Sequence, residues 1–403
     1  MNREVSEAIA AVGKGPLREE LIQRHLAPLF SRVLASGSSY LANHSLGRPL
    51  DVMAEDVAEA IGLWYGMMGK AWDAWLAEQE AFRVRIATLI GAPGAGYVVP
   101  KTSAGQGLRA VLNALPGTPR VVTTRGEFDS IDVILKQYAK LERITIQWIE
   151  PDRRDEFHLD CLVDAVRAGA DLVVVSQTMF MTGQILSNLD FLAQACHQNG
   201  ALLFVDSYHA IGVIPVDVEH MNADFMIGGS YKYLRGGPGA CFLYISPQAL
   251  EKELRPLDIG WFANANSFAY RRPDRPVLKN GGNAFLESTP AVLPFYQARS
   301  GQEFVLAMGV ERLRGYSLAQ LGCLRNYLHQ EGITELVGGD EKHGAFLAIN
   351  SQIASRIASR MERKGIHCDA RGEWLRFCPD CLTREEELYK AAVALGRVLR
   401  EER

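Results

Sequence analysis

Ala201-Leu202-Leu203-Phe204-Val205-Asp206-Ser207-Tyr208-His209 is an apolar run that closes on an acid. A second run, Phe225-Met226-Ile227-Gly228-Gly229, leads into Ser230-Tyr231-Lys232-Tyr233-Leu234-Arg235 and the glycine-rich turn Gly236-Gly237-Pro238-Gly239-Ala240. Short, uninterrupted apolar runs bounded by turn residues read as strands buried on both faces, the habit of parallel sheets covered by helices. Working outward, strand-like runs recur at 120–124, 144–149, 172–176 and 241–245, and helical patterns separate them at 129–141, 160–168 and 188–199. This alternation predicts an α/β fold with a mostly parallel sheet, whose ligands collect at the carboxyl ends of the strands. Asp206 and Lys232 stand at or just past two such ends.

The flanks read differently. Residues 4–30 place apolar positions at helical spacing, 40–49 form a loop, and 53–91 make one long helix or two. Gly62, Gly66 and Gly69 there either permit close packing or simply weaken the helix. Past Pro247 the segment 261–283 is rich in Asn, Arg, Pro and Gly, as functional loops often are. A helical stretch at 292–331 leads into strands and helices at 344–349, 350–364 and 373–378. We expect an N-terminal segment (1–50) packing with the small domain, a large domain (51–290) and a smaller C-terminal α/β domain (291–403).

The chain has 403 residues, 48% of them hydrophobic, and a formal net charge of −4. That length suits one large domain plus a smaller one, and mild acidity gives no argument for nucleic acid. No apolar run reaches the ~20 residues of a membrane span, and Met1-Asn2-Arg3-Glu4-Val5 lacks a signal-peptide core. Seven scattered cysteines suit a reduced, cytoplasmic chain. Cys378-Pro379-Asp380-Cys381 has C-x-x-C spacing, but a redox or zinc role needs a thioredoxin-like context or further ligands, so packing is the expectation and no metal is predicted.

An acid closing one buried strand, followed 26 residues later by a lysine beyond another and then a glycine turn, is the layout of a pyridoxal 5'-phosphate (PLP) site. The lysine forms the Schiff base and the acid keeps the pyridine nitrogen protonated. An acid at the tip of an apolar strand otherwise needs a cap or an ion pair as partner. Thr102-Ser103-Ala104 precedes a helix, where backbone N–H groups and hydroxyls can bind a phosphate or merely cap the helix. Phe128, after the strand at 121–124, can stack on a ring or sit in the core. His209 can stack on the ring, support Asp206, or serve structure.

Together these residues resemble the kynureninases, within the class V branch of fold-type-I PLP enzymes, over about 40–380. Tyr231-Lys232-Tyr233-Leu234 with Gly236–Ala240 is the most specific stretch; Asp206–Gly212 with Pro215-Val216-Asp217, Ser176 with Thr182-Gly183-Gln184, and Leu375-Arg376-Phe377 agree with it. The resemblance implies a large domain with a seven-stranded sheet and a homodimer with its site at the interface. It also assigns roles. Lys232 is the aldimine lysine and proton shuttle, Asp206 the pyridine-nitrogen partner, and Tyr231 a phosphate ligand and proton relay. Ser103 and Ala104, with Thr102, cradle the phosphate; Phe128 stacks; Ser176 and His209 line the ring. Trp261 reaches the phosphate across the interface, and Thr289 belongs to a neighbouring loop. Arg376 grips the substrate α-carboxylate, for which its fork is apt. His44 and Ser45 face the substrate, and Asp132 matches a second acid one position out of register. Two stretches depart: Asn43-His44-Ser45-Leu46-Gly47 replaces Gly-Asn-Ser-Leu-Gly, and Ser288-Thr289-Pro290-Ala291 replaces Thr-Pro-Pro. The implied activity is hydrolysis of kynurenine or a related β-aryl-keto amino acid. The alternatives are a class V transaminase, β-lyase or desulfurase, or epimerase, and a non-catalytic PLP-fold protein.

Overall fold

The computed structural model describes residues 1–252 and 254–402. Seven strands form the central sheet: β1 (Val98–Lys101), β2 (Arg120–Thr124), β3 (Thr145–Ile149), β4 (Leu172–Ser176), β5 (Leu202–Asp206), β6 (Phe225–Gly229) and β7 (Cys241–Ile245). Their order is β1-β7-β6-β5-β4-β2-β3; β7 runs antiparallel to both neighbours and the remaining pairs are parallel. Strands β4 to β7 are buried along their whole length, which explains why they read as unbroken apolar runs. Register sets Ser176 opposite Asp206 and Asp206 opposite Ile227, so β4 and β5 end together and β6 runs two residues further.

Helices cover both faces. One core includes Val173, Val175, Leu203, Val205 and Met226; the other includes Leu172, Val174, Leu202, Phe204 and Ile227. The alternation of consecutive strand residues between these two cores is the pleat itself. A four-stranded antiparallel sheet follows near the C-terminus, β8 (Val337–Gly338), β9 (Leu347–Asn350), β10 (Asp369–Arg371) and β11 (Trp374–Phe377), with a third core that includes Leu321, Leu347, Leu375 and Leu395. No helix among the described residues is long and apolar enough to cross a membrane.

The span 53–91 is two helices, Met53–Met67 and Ala71–Ile90, broken where Met68 takes φ 47°. A Cβ at Gly62, Gly66 or Gly69 would meet nothing within 4 Å, so these glycines serve no close packing among the described residues of this chain. Gly47 does: a Cβ there would lie 1.9 Å from the Lys232 carbonyl oxygen, and its amide donates to the Tyr231 carbonyl at 2.8 Å. The loop 43–47 therefore packs directly on the backbone that carries the lysine. The stretch 292–331 is also two helices, parted at Gly309 (φ 84°).

Distant segments are tied by a buried ion pair. Arg235 donates to both oxygens of Asp380, at 2.9 and 2.5 Å, and Arg48 Nε lies 3.4 Å from Asp380 Oδ2. The two guanidiniums hold the Asp380 carboxyl well below the usual carboxylate range, against the cost of burial. That stabilisation is present above the unfolded carboxylate pKa and is lost as pH falls through the lower folded value. Asp380→Asn leaves two buried cations without the carboxylate that neutralises them. Urea unfolding is expected to show a loss of about 3–5 kcal/mol; a change below ~1 kcal/mol would mean water already solvates the guanidiniums. Cys378 and Cys381 are both buried, Cys378 Sγ donating to the Ala345 carbonyl at 2.9 Å and Cys381 Sγ lying 3.3 Å from Arg235 Nη2. The pair thus packs beneath this cluster as two free thiols.

Candidate active site

The carboxyl ends of β4, β5 and β6 open into a cavity of about 410 Å³. Lys232, Asp206, Tyr231, Ser176, His209, Phe128, Thr102, Ser103 and Ala104 all line it. Lys232 is 5% exposed, and its Nζ lies 2.7 Å from His209 Nε2 and 5.5–5.7 Å from the rings of Tyr208, Tyr231 and Phe128. Burial pushes its amine pKa down, only partly offset by the charge of Asp206. Burial likewise pushes the Asp206 carboxyl up, although Oδ1 accepts the Tyr208 amide at 2.9 Å. His209 is held neutral by burial and by the neighbouring Lys232, and its Nδ1 has no hydrogen-bond partner among the described residues.

At the outer end, Ser103 caps the helix Ala104–Leu112, its Oγ accepting the Gln106 amide at 3.1 Å. That leaves the Ser103 hydroxyl proton and the first helical N–H groups toward the cavity, an anion-binding terminus. Gly105 keeps this corner narrow: a Cβ there would come within 2.9 Å of Ile134 Cδ1. Thr102 is committed elsewhere, since its amide and hydroxyl both donate to Gln106 Oε1, at 2.7 and 3.1 Å.

Arg376 is 1% exposed. It donates to the Phe180 carbonyl and to Asp369 Oδ2, and its guanidinium lies 4.6 Å over the Phe180 ring. Its Nε is buried without a partner among the described residues, and Arg376 stands behind Phe180 without itself lining the cavity. His44 stacks on Phe346 at 5.0 Å and lies 3.2 Å from Asp369; burial and the Arg376 charge lower its pKa to about 3, so it is neutral. His44 and Ser45 lie outside the cavity lining.

Three other expected residues lie apart. Thr289 lines a neighbouring cavity of about 160 Å³, which meets the first at Thr102 and Gly239. Trp261 packs within its own chain against Phe262 at 4.6 Å and Tyr270 at 6.2 Å. Asp132 turns along its helix to pair with Lys136 at 2.7 Å and does not line the cavity.

The sequence reading passed over three residues. Phe180 lines the cavity and meets Phe128 at 5.0 Å and His209 at 5.7 Å. Asp369 holds Arg376. Glu127 is buried behind Ser176, whose hydroxyl donates to its Oε2 at 2.7 Å. The only signal for Glu127 was its place just past the strand 120–124, between Gly126 and Phe128.

A fold-type-I sheet with a buried lysine and acid at adjacent strand ends defines a PLP-dependent enzyme. The aminotransferase class-V family model matches residues 66–373, and the chain belongs to that family. Kynureninase from Pseudomonas fluorescens is 29% identical over 311 residues, 74% of this chain and 72% of the relative. Kynureninase from Bacillus anthracis is 26% identical over 91% of this chain and 89% of its own. An uncharacterized aminotransferase of Bacillus subtilis is 26% identical over 84% and 90%. Among solved structures, the cystine C–S lyase C-DES with cysteine persulfide superposes with TM-score 0.81 at 19% identity, over 91% of this chain and 98% of that one. Cysteine desulfurase CsdA of Escherichia coli does so at 0.77 and 16%, over 93% and 98%. The cofactor is therefore pyridoxal 5'-phosphate, and the cavity fits it: a buried amine, a buried acid, and an open helix terminus for a phosphate.

Proposed function

We propose that the protein is a hydrolase of the kynureninase type, cleaving the Cβ–Cγ bond of kynurenine or a related β-aryl-keto amino acid. One observation carries this reading: Arg376, buried with an unpartnered Nε, lies over the cavity-lining Phe180, which edges onto Phe128 and His209. A carboxylate grip set against an aromatic wall suits an amino acid with an aryl side chain. The kynureninase relatives spanning most of the chain support it.

Bound here, PLP supplies an electron sink for negative charge at the substrate α-carbon. Asp206 holds a proton at the ring nitrogen, while Ser103, Ala104 and Tyr231 hold the phosphate. Lys232, its amine pKa lowered to about 7 by burial, is competent to take the α-proton and return it. Arg376 fixes the carboxylate so that the α-proton faces Lys232. Water enters at the γ-carbonyl carbon, the Cβ–Cγ bond breaks, and an aromatic acid and alanine leave. The same reading makes the enzyme a homodimer in which Trp261 serves the neighbouring subunit. The exposed Trp64, Tyr65 and Met68 (59, 86 and 66%) supply an apolar face for a second copy.

The desulfurase alternative needs a reactive thiolate. Cys241, the cysteine that lines the cavity, has its thiol pushed up to about 11 by burial and receives the Tyr208 hydroxyl at 2.7 Å. A thiol so placed is a poor nucleophile. Incubation with kynurenine and with 3-hydroxykynurenine is expected to yield alanine and the matching anthranilate in equal amounts. Conversion of the cofactor to its pyridoxamine form without alanine would instead make the enzyme a transaminase.

A further inference from the structure

Ser176 lines the cavity directly opposite Asp206 in the sheet, and its hydroxyl has one protein partner on its far side, Glu127. Glu127 is 7% exposed, and no cation pairs with it among the described residues. Its Oε1 accepts the Thr124 hydroxyl at 2.7 Å, and Thr124 Oγ1 in turn accepts the Gly126 amide at 3.1 Å. Each carboxyl oxygen thus faces one hydroxyl, Oε1 that of Thr124 and Oε2 that of Ser176. The consequence for Ser176 follows from the capacity of a hydroxyl, one donor and two acceptor pairs. When Glu127 is ionised, Ser176 gives its proton to Oε2 and presents only lone pairs to the cavity. When Glu127 is protonated at Oε2, that oxygen donates to Ser176, whose own proton is then free to point into the cavity.

We propose that Glu127 is a positioning residue that sets, through Ser176, whether the ring edge beside Asp206 meets a hydrogen-bond acceptor or a donor. The inference rests on the cofactor's seat and not on the identity of the substrate. The switch operates near neutrality, because burial raises the Glu127 carboxyl from the ordinary range to about 7. The neighbours that act on it are the neutral hydroxyls of Thr124 (β2) and Ser176 (β4), which lower its pKa, and the carboxyl of Asp206 (β5), which raises it. Lys232, 2.7 Å from His209, acts on Asp206 and is not among the groups that act on Glu127. Glu127 thus takes the place of the second acid that Asp132 does not supply, from a position five residues earlier in the chain.

The test is the pH titration of the bound cofactor's visible absorbance in the holoenzyme, alongside Glu127→Gln, Ser176→Ala and the double variant. Removing a negative charge beside Asp206 disfavours the protonated cofactor, so Glu127→Gln lowers the midpoint by roughly one unit. Ser176→Ala removes the donor that holds Glu127 ionised and lowers it in the same direction. Because the two act in series, the double variant shifts no further than the larger single one. Midpoints that coincide with the wild type, or shifts that add, overturn the proposal. Glutamine keeps the shape of the side chain, and Ser176→Thr, which keeps the hydroxyl, is expected to retain the wild-type midpoint if it folds. A wild-type protein with no visible cofactor band overturns the cofactor seat itself, and this inference with it.

Discussion

Lys232→Ala is expected to abolish the visible band of the bound cofactor and to lower kcat at least ~10³-fold, the usual cost of losing a nucleophile that is also the proton carrier. The amine is buried, and its nearest polar neighbour, at 2.7 Å, is the neutral His209. No other described lysine lines the cavity, so no second amine can stand in. Burial lowers the Lys232 pKa, so in the cofactor-free protein the folded state holds this proton less tightly than the unfolded one. The group therefore costs stability as pH falls from 10.5 to about 7 and adds no further cost in acid, so Lys232→Ala should flatten the stability profile of the cofactor-free protein across that window. A variant that keeps an unchanged visible spectrum would remove Lys232 from its role.

Arg376→Ala is expected to act twice. A guanidinium gripping a carboxylate is worth about 1.5–3 kcal/mol per charged hydrogen bond, so kcat/KM should fall ~10²-fold or more, chiefly through KM. The fold should also weaken by about 3–5 kcal/mol, because Asp369 loses its buried partner; its other contacts are the neutral His44 and the half-exposed Arg371. Adding Asp369→Asn removes the stranded charge. The double variant should therefore regain much of its resistance to urea while KM stays high. A near-normal KM in Arg376→Ala would exclude it as the carboxylate clamp, whatever the stability.

The two changes draw on different parts of the chain, and these were not equally visible in the sequence. Lys232 and Asp206 stood out because a strand buried on both faces leaves no apolar position for a charged group except at its tip. The helix after Ser103 was legible for a similar local reason, a hydroxyl at the N-cap. Arg376 was legible only through resemblance, since nothing in Leu375-Arg376-Phe377 says what lies across from it. Thr102 was read as a phosphate ligand by its place in the run; the side chain of Gln106, one helical turn on, takes both of its donors.

The sequence by itself determined the α/β alternation, the burial of β4 to β7, and the acid and amine at their carboxyl ends. Each is a local matter of hydrophobic period and strand length. Tertiary structure alone decided which polar groups meet. Strand order sets Ser176 beside Asp206 and brings Glu127 behind it from 49 residues away. It also carries Arg376 196 residues back in sequence to the carbonyl of Phe180. Such pairings depend on how strands are ordered and how distant segments dock. Buried polar groups must find partners wherever the fold provides them, and a one-dimensional pattern does not specify that geometry.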